Sequence, residues 1–444
     1  MFSFLKPAPD AKVKVAPDKV ANTYKWRQIG VLVSILLGYA GYTVIRQVFT
    51  IQQHDIMKVY HFSTGQIGMI LSCFGLGYGI SKLFMGALSD KSDSNRYLAT
   101  GLFLSSLINF AFGATRNFYI MCFLMLIMSI AQGMGAGACQ RIIQLWWSKK
   151  RRGIVFAVWG TSKSFGAILC VSLVQLAAYL FSNSISMVFY ATGVVGVVMS
   201  LIVWFAGCDR PAAVGLPSIT EYAHEEVVLD NGEKNNNELT KMNIFQIITH
   251  YIINNKLVWA VTLTSMCLYV VSYGINTWIP SYLTQFKGFS PTTAKWLVGI
   301  VGVATIPGGI ISGVLSDLFK NRRAAVCVVG ILGVIACLIP YLLSTNHTVI
   351  IVVLILMMNF LSAPIMLVGL IINEVVPKFA VGTSTGFMGF FQYLGGEIAA
   401  TALVGLLVDK YGWGANITVL FVASALALCL SIYIMITERK LDRS

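Results

Sequence analysis

The chain has 444 residues, 57% of them hydrophobic and 11% charged, with a formal net charge of +14. That apolar share excludes a soluble protein of this length, because runs of about 20 apolar residues recur and each can cross a hydrocarbon core of ~30 Å. The reading is an all-α, multi-pass membrane protein whose positive charge belongs to its topology and needs no nucleic-acid partner.

A polar tail, residues 1–26, comes first. The apolar run after it is too long for a cleaved signal core, so the first helix is expected to be its own insertion signal. Twelve candidate spans follow, at about 27–52, 64–88, 97–115, 118–147, 153–181, 185–207, 257–285, 291–319, 323–345, 348–375, 380–409 and 413–437. They divide into an N-terminal six-helix half at 27–207 and a C-terminal half at 257–437, with a short tail at 438–444. Between the halves lies a polar, acidic, Asn-rich linker at 208–256. With both termini cytoplasmic, 23 of the 32 Lys and Arg residues fall in inner segments and five in outer loops. That bias matches the excess of cations on the cytoplasmic side of membrane proteins.

An internal repeat sits at the end of the second span of each half. Gly86 to Arg96 reads GALSDKSDSNR, and Gly313 to Arg323 reads GVLSDLFKNRR. The shared G-x-L-S-D marks two homologous halves, the architecture of secondary transporters. Asp90 and Asp317 in these motifs are expected to pair with loop cations or cap a neighbouring helix, a structural or gating role.

Charges inside the spans single out the site candidates. Arg46 lies in GYAGYTVIRQVFT of the first span, after Tyr39 and Tyr42. A guanidinium at bilayer depth costs roughly 2.5–3.5 kcal/mol on insertion scales, so it should face a wet cavity. Its planar fork suits a phosphate or carboxylate. Lys82 in YGISKLFMG and Lys163 in VWGTSKSFG are further cations placed for substrate, and Glu397 in YLGGEIAA is the one acid deep in the eleventh span. Arg141 sits close enough to the inner surface for a structural role. The nine cysteines are scattered singly and read as packing residues. There is no phosphate-binding P-loop and no metal-ligand spacing among the five histidines. No cofactor, no metal and no enzymatic activity are expected.

The two G-x-L-S-D loops and the six-and-six layout resemble the major facilitator superfamily. Within it, the segments FLKPAP, GYAGYTVIR, YGISKLFMGALSD, QGMGAGACQR, WWSKKRRG, NKLVWA, SYGINTWIPSYL, PIMLVGL and GFFQYLGG resemble the organophosphate:phosphate antiporter family, nearly end to end. The resemblance implies a substrate-phosphate role for Arg46, a cavity role for Lys82, and pocket positions for Tyr39, Tyr269 and Tyr393. It also exposes departures. Lys163 stands where glycerol-3-phosphate transporters resemble a WNxxHN motif with a pocket histidine. Ser272 stands where members carry a second arginine opposite the first. Ala136, Ser362 and Thr43 replace larger aromatic residues, which implies a larger or differently shaped substrate.

The function expected is import of an organophosphate by alternating access, in exchange for inorganic phosphate, by a monomer in a bacterial inner membrane. Two other readings stay open. One is a transporter-like membrane sensor of a sugar phosphate. The other is a proton-coupled importer of another organic anion or of a zwitterionic phosphate compound, with Glu397 as the coupling or amine-reading group.

Overall fold

In lipid every backbone N–H and C=O must be satisfied inside its own segment, and long apolar runs therefore become helices. The computed structural model describes residues 5–7, 9–90, 92–223, 252–318, 323–376 and 381–441. The first six long helices are α1 (Pro17–Tyr60), α2 (Thr64–Asp90), α3 (Ser94–Ala114), α4 (Phe118–Trp146), α5 (Lys149–Leu180) and α6 (Ile185–Ala206). After a single turn at Ile219–Tyr222 come α7 (Lys256–Asn276), α8 (Ile279–Gln285), α9 (Pro291–Leu318), α10 (Arg323–Leu343) and α11 (His347–Val375). The chain ends with α12 (Val381–Phe391), two π-helical stretches at Gln392–Glu397 and Ala399–Leu403, α13 (Val404–Tyr411) and α14 (Gly414–Leu441). Among the described residues, ten helices are long and apolar enough to cross a membrane.

Short polar residues set where several helices begin. Asn117, Asn255 and Asn346 each accept a hydrogen bond from a backbone N–H of the following turn, at 2.9, 3.0 and 2.9 Å. These caps satisfy donors that no intrahelical carbonyl reaches. Two expected spans are interrupted. The run at 257–285 breaks at Thr277–Trp278, because Pro280 lacks an N–H and fits only the first turn of a new helix, α8. The run at 380–409 carries the π-helical stretches in its middle. α1 reaches beyond the expected 27–52 at both ends, starting at Pro17 and ending at Tyr60.

The chain divides into two compact units. The first is Met1–Phe49 with Ile80–Asn235, and the second is Thr50–Gly79 with Asn236–Ser444. α1 and α2 therefore each contribute to both. In the first unit α3 packs between α4 and α6. In the second α10 and α11 pack together, and α14 covers α7 and α10. Most of the linker, residues 224–251, lies outside the described residues.

The loop between α2 and α3 is tied down by polar groups. Arg141 donates to the carbonyls of Ser89 and Ser92 at 2.5 and 2.6 Å, and to Ser94 Oγ at 3.2 Å. Asp209 accepts from the Ser94 N–H at 2.8 Å. The N-terminal tail adds to this knot through Ala11 N–H to Ala212 O and Val15 N–H to Gly215 O, both at 3.0 Å. Tyr24 stacks on Tyr222 with centroids 4.3 Å apart. The side chains of Asp90 and Asp317 lie outside the described residues.

Asp93 caps α3 through Arg96 N–H at 2.9 Å. Burial pushes its carboxyl up from the ordinary value, and the charge of Asp209 adds to the rise against the hydrogen bond from Arg96. A raised folded value means the charged form costs stability at neutral pH, a cost relieved as pH falls through that value. Asp93→Ala should destabilise by about 1 kcal/mol through loss of the cap. Asp93→Asn should hold or raise the thermal midpoint at pH 7, because it keeps the acceptor and removes the charge. Thermal unfolding of the two variants in detergent checks both.

Candidate functional site

The site candidates fall into two groups, one in each compact unit. In the first unit, α1 and α5 approach closely at Gly166. A methyl there would lie 2.7 Å from the Ala40 carbonyl oxygen and 2.8 Å from Thr43 Cβ. Cys170, one turn on, donates to the Val44 carbonyl at 3.3 Å. The small residues let the two backbones touch, and Lys163, one turn before Gly166, comes to lie beside α1.

Lys163 Nζ sits 5.8 Å from the ring centroid of Tyr39, and Tyr39 packs on Trp159 at 4.8 Å. A cation above a tyrosine face is attracted by the ring quadrupole. Lys163 keeps exposed surface although it lies near the middle of a 32-residue helix. Arg46 is close enough to repel it electrostatically and is itself partly exposed. Arg46 and Lys163 thus put two cations in the same region of the first unit.

Tyr42 is placed differently from Tyr39. It is 3% exposed, and its hydroxyl donates to the Leu98 carbonyl at 2.9 Å. Its ring lies against Gly135, where a methyl would be 3.2 Å away. Gln132 of α4 donates to the Tyr42 carbonyl at 3.2 Å. Tyr42 thus joins α1 to α3 and α4. The side chain of Lys82 lies outside the described residues.

The second unit gathers tyrosines. Tyr393 meets Tyr78 at 4.9 Å, Tyr269 at 5.7 Å and Tyr273 at 6.5 Å between centroids. Tyr269 and Tyr273, one turn apart on α7, are 5.7 Å from each other. Gly396 lets α7 approach, since a methyl there would be 2.7 Å from Tyr269 Cβ. Gln392 donates to Ser265 Oγ at 2.5 Å and fixes the start of the π-helical stretch. Glu397 is 3% exposed and lies against Gly75 of α2. Ser272 is partly exposed, and its carbonyl accepts from Asn276 at 2.9 Å.

Sequence reasoning passed over Trp159 and Tyr273. Each had a signal, for they stand four residues from Lys163 and Tyr269, and residues at that spacing share a helix face.

Comparison with known proteins agrees with this architecture. The family model described as Major Facilitator Superfamily matches residues 31–400. The chain is 34% identical to the glycerol-3-phosphate transporter of Bacillus subtilis (strain 168), over 96% of each chain. It is 32% identical to the phosphoglycerate transporter protein of Salmonella typhimurium, over 93% of this chain and 90% of that one. It is 26% identical to the membrane sensor protein UhpC of Escherichia coli (strain K12), over 97% of each. Among solved structures, the fold is similar to a bacterial homologue of the human lysosomal transporter Spinster in an inward-facing, occupied conformation. That match has a TM-score of 0.73 and 14% identity, over 93% of this chain and 97% of that one. A mutant of the nucleoside transporter NupG gives a TM-score of 0.67 at 14% identity, over 91% of this chain and 99% of that one. The chain is a multi-pass integral membrane protein, and it belongs to the major facilitator superfamily, within the organophosphate:phosphate antiporter family.

Proposed function

We propose that the chain is a secondary active transporter that imports an organophosphate by alternating access, in exchange for inorganic phosphate. The observation that carries this reading is the neighbouring, accessible pair Arg46 and Lys163. Arg46 offers a bidentate fork and Lys163 a compact point charge, which together match a phosphate dianion. Tyr39 holds Lys163 through its ring face. Lys82 adds positive charge on α2. Tyr269, Ser272, Tyr393 and Glu397 read the neutral part of the substrate through hydroxyl and carboxylate groups. Arg141, Asp90 and Asp317 serve structure and gating. The relatives named for glycerol-3-phosphate and phosphoglycerate transport support the substrate class.

The chain works as a monomer with twelve spans, two six-helix halves at 27–207 and 257–437, and both termini in the cytoplasm of a bacterium. The lengths of α2 and α9, 27 and 28 residues, support spans two and eight. Without an anion, Arg46 and Lys163 repel. A bound phosphate cancels that repulsion, and either phosphate or organophosphate suffices, which is the requirement for exchange.

Counterflow in phosphate-loaded proteoliposomes tests the reading. Labelled glycerol-3-phosphate, glucose-6-phosphate or phosphoglycerate should accumulate, and omission of internal phosphate should abolish the uptake. Uptake driven by a proton gradient and indifferent to internal phosphate would overturn exchange. Binding without flux would favour a sensor, a reading that the similarity to UhpC supports. Arg46→Lys should lower counterflow about tenfold or more, because a point charge cannot replace the fork. Uptake close to the parent rate would remove Arg46 as anchor. Lys163→His should make uptake, taken relative to the parent at each pH, fall as pH rises through about 6–7, where imidazole loses its charge. A pH series of initial rates reads this directly.

A further inference from the structure

The outer halves of α1 and α2 are bound into the second unit by polar contacts that the substrate candidates do not use. Lys295 of α9 is 6% exposed. It donates to Gln52 Oε1 at 2.9 Å and pairs with Asp55 Oδ2 at 2.5 Å. Gln53, beside them on α1, donates to the Thr277 carbonyl at 2.6 Å, where α7 ends. Asp409 of α13 accepts from the N–H groups of Thr64 and Gly65 at 2.9 and 2.6 Å. These are first-turn donors of α2 that have no intrahelical acceptor.

Between these points runs a close seam. A methyl on Gly68 would collide with the Thr401 carbonyl oxygen, and one on Gly405 would lie 2.8 Å from the Thr64 carbonyl oxygen. A methyl on Gly75 would be 3.2 Å from Glu397 Cγ, and one on Gly79 would be 3.2 Å from Tyr393 Cβ. The partners Tyr393, Glu397, Thr401, Gly405 and Asp409 recur at every fourth position.

We propose that Lys295 with Asp55 and Gln52, Gln53 with Thr277, and Asp409 with the start of α2 form a latch that closes the outer side. The inference rests on alternating access, and it says which contacts release when the transporter turns outward. The seam suits repeated opening. Glycines leave no interlocked side chains to rearrange, so the helices part as rigid surfaces. The charges sit at helix ends next to water, so each partner regains hydration when the latch opens. Their opposite signs guide reclosure.

The test uses the full chain with its nine native cysteines replaced and a reporter introduced by Thr401→Cys, a position 1% exposed in the seam. Labelling by a membrane-impermeant maleimide from the outer face should be slow in this parent. Adding Lys295→Gln, or separately Asp409→Asn, should raise the rate at least tenfold, while Lys295→Arg should leave it near the parent. Equal rates with and without Lys295→Gln would overturn the latch. So would a rise that Lys295→Arg shares, since loss of fold and not of the ion pair would then be the cause. The readout needs no transported substrate, so it stands apart from the outcome of counterflow.

Discussion

The like charges of Lys163 and Arg46, close enough to influence each other electrostatically, are the constraint that the packing of α5 against α1 has to meet. A charged side chain at the bilayer centre costs roughly 2.5–3.5 kcal/mol even on the mildest scales. A second cation beside it adds repulsion that low-dielectric surroundings magnify. The structure meets this cost in three ways. Lys163 stays accessible to solvent at mid-helix. The Tyr39 ring offers it a negative face. The contact at Gly166 holds α5 against α1, so the charges cannot relax apart without unpacking the helices.

The second unit solves a different problem with different means. Many of its buried polar groups are neutral: a tyrosine cluster around Tyr393, and the Gln392–Ser265 hydrogen bond. The ion pair of Lys295 with Asp55 is strongly buried on the lysine side and partly open on the other. Removing one member of a fully buried pair typically costs about 3–5 kcal/mol, and an exposed pair contributes about 0–1. An intermediate burial gives a contact strong enough to favour one arrangement and weak enough to be undone within a working cycle.

Much of this was legible in the sequence, and the rest was not for definable reasons. Apolar runs located most helices, because hydrocarbon leaves the backbone no alternative. Arg46 and Lys163 stood out because charge in a span is rare. Tyr42 did not reveal its packing role, since a tyrosine that lines a cavity and one that bonds Leu98 O look the same in one dimension. Lys295 is buried against α1, 240 positions away in the chain, and nothing near it in the sequence announces that contact. Asp409 likewise gave no sign that it caps α2. Contacts between distant residues leave no local pattern, and they are what the fold adds. Pro280 lies inside an apolar run that reads as one span, and only the structure places a break at Thr277–Trp278.

The π-helical stretches at Gln392–Glu397 and Ala399–Leu403 bear on how this chain is matched to its relatives. An α-helix turns once in 3.6 residues, so a four-residue step runs ahead of a full turn, whereas in the wider π-turn it falls behind. Alternating the two keeps Tyr393 through Asp409 on one line. A relative with a plain α-helix here would reach the same azimuth with fewer residues, or a different azimuth with the same number, since each four-residue α step overruns a full turn by about 40°. Counting letters and counting turns therefore disagree across this segment. The residue that stands where Glu397 stands must be found by superposing helix faces.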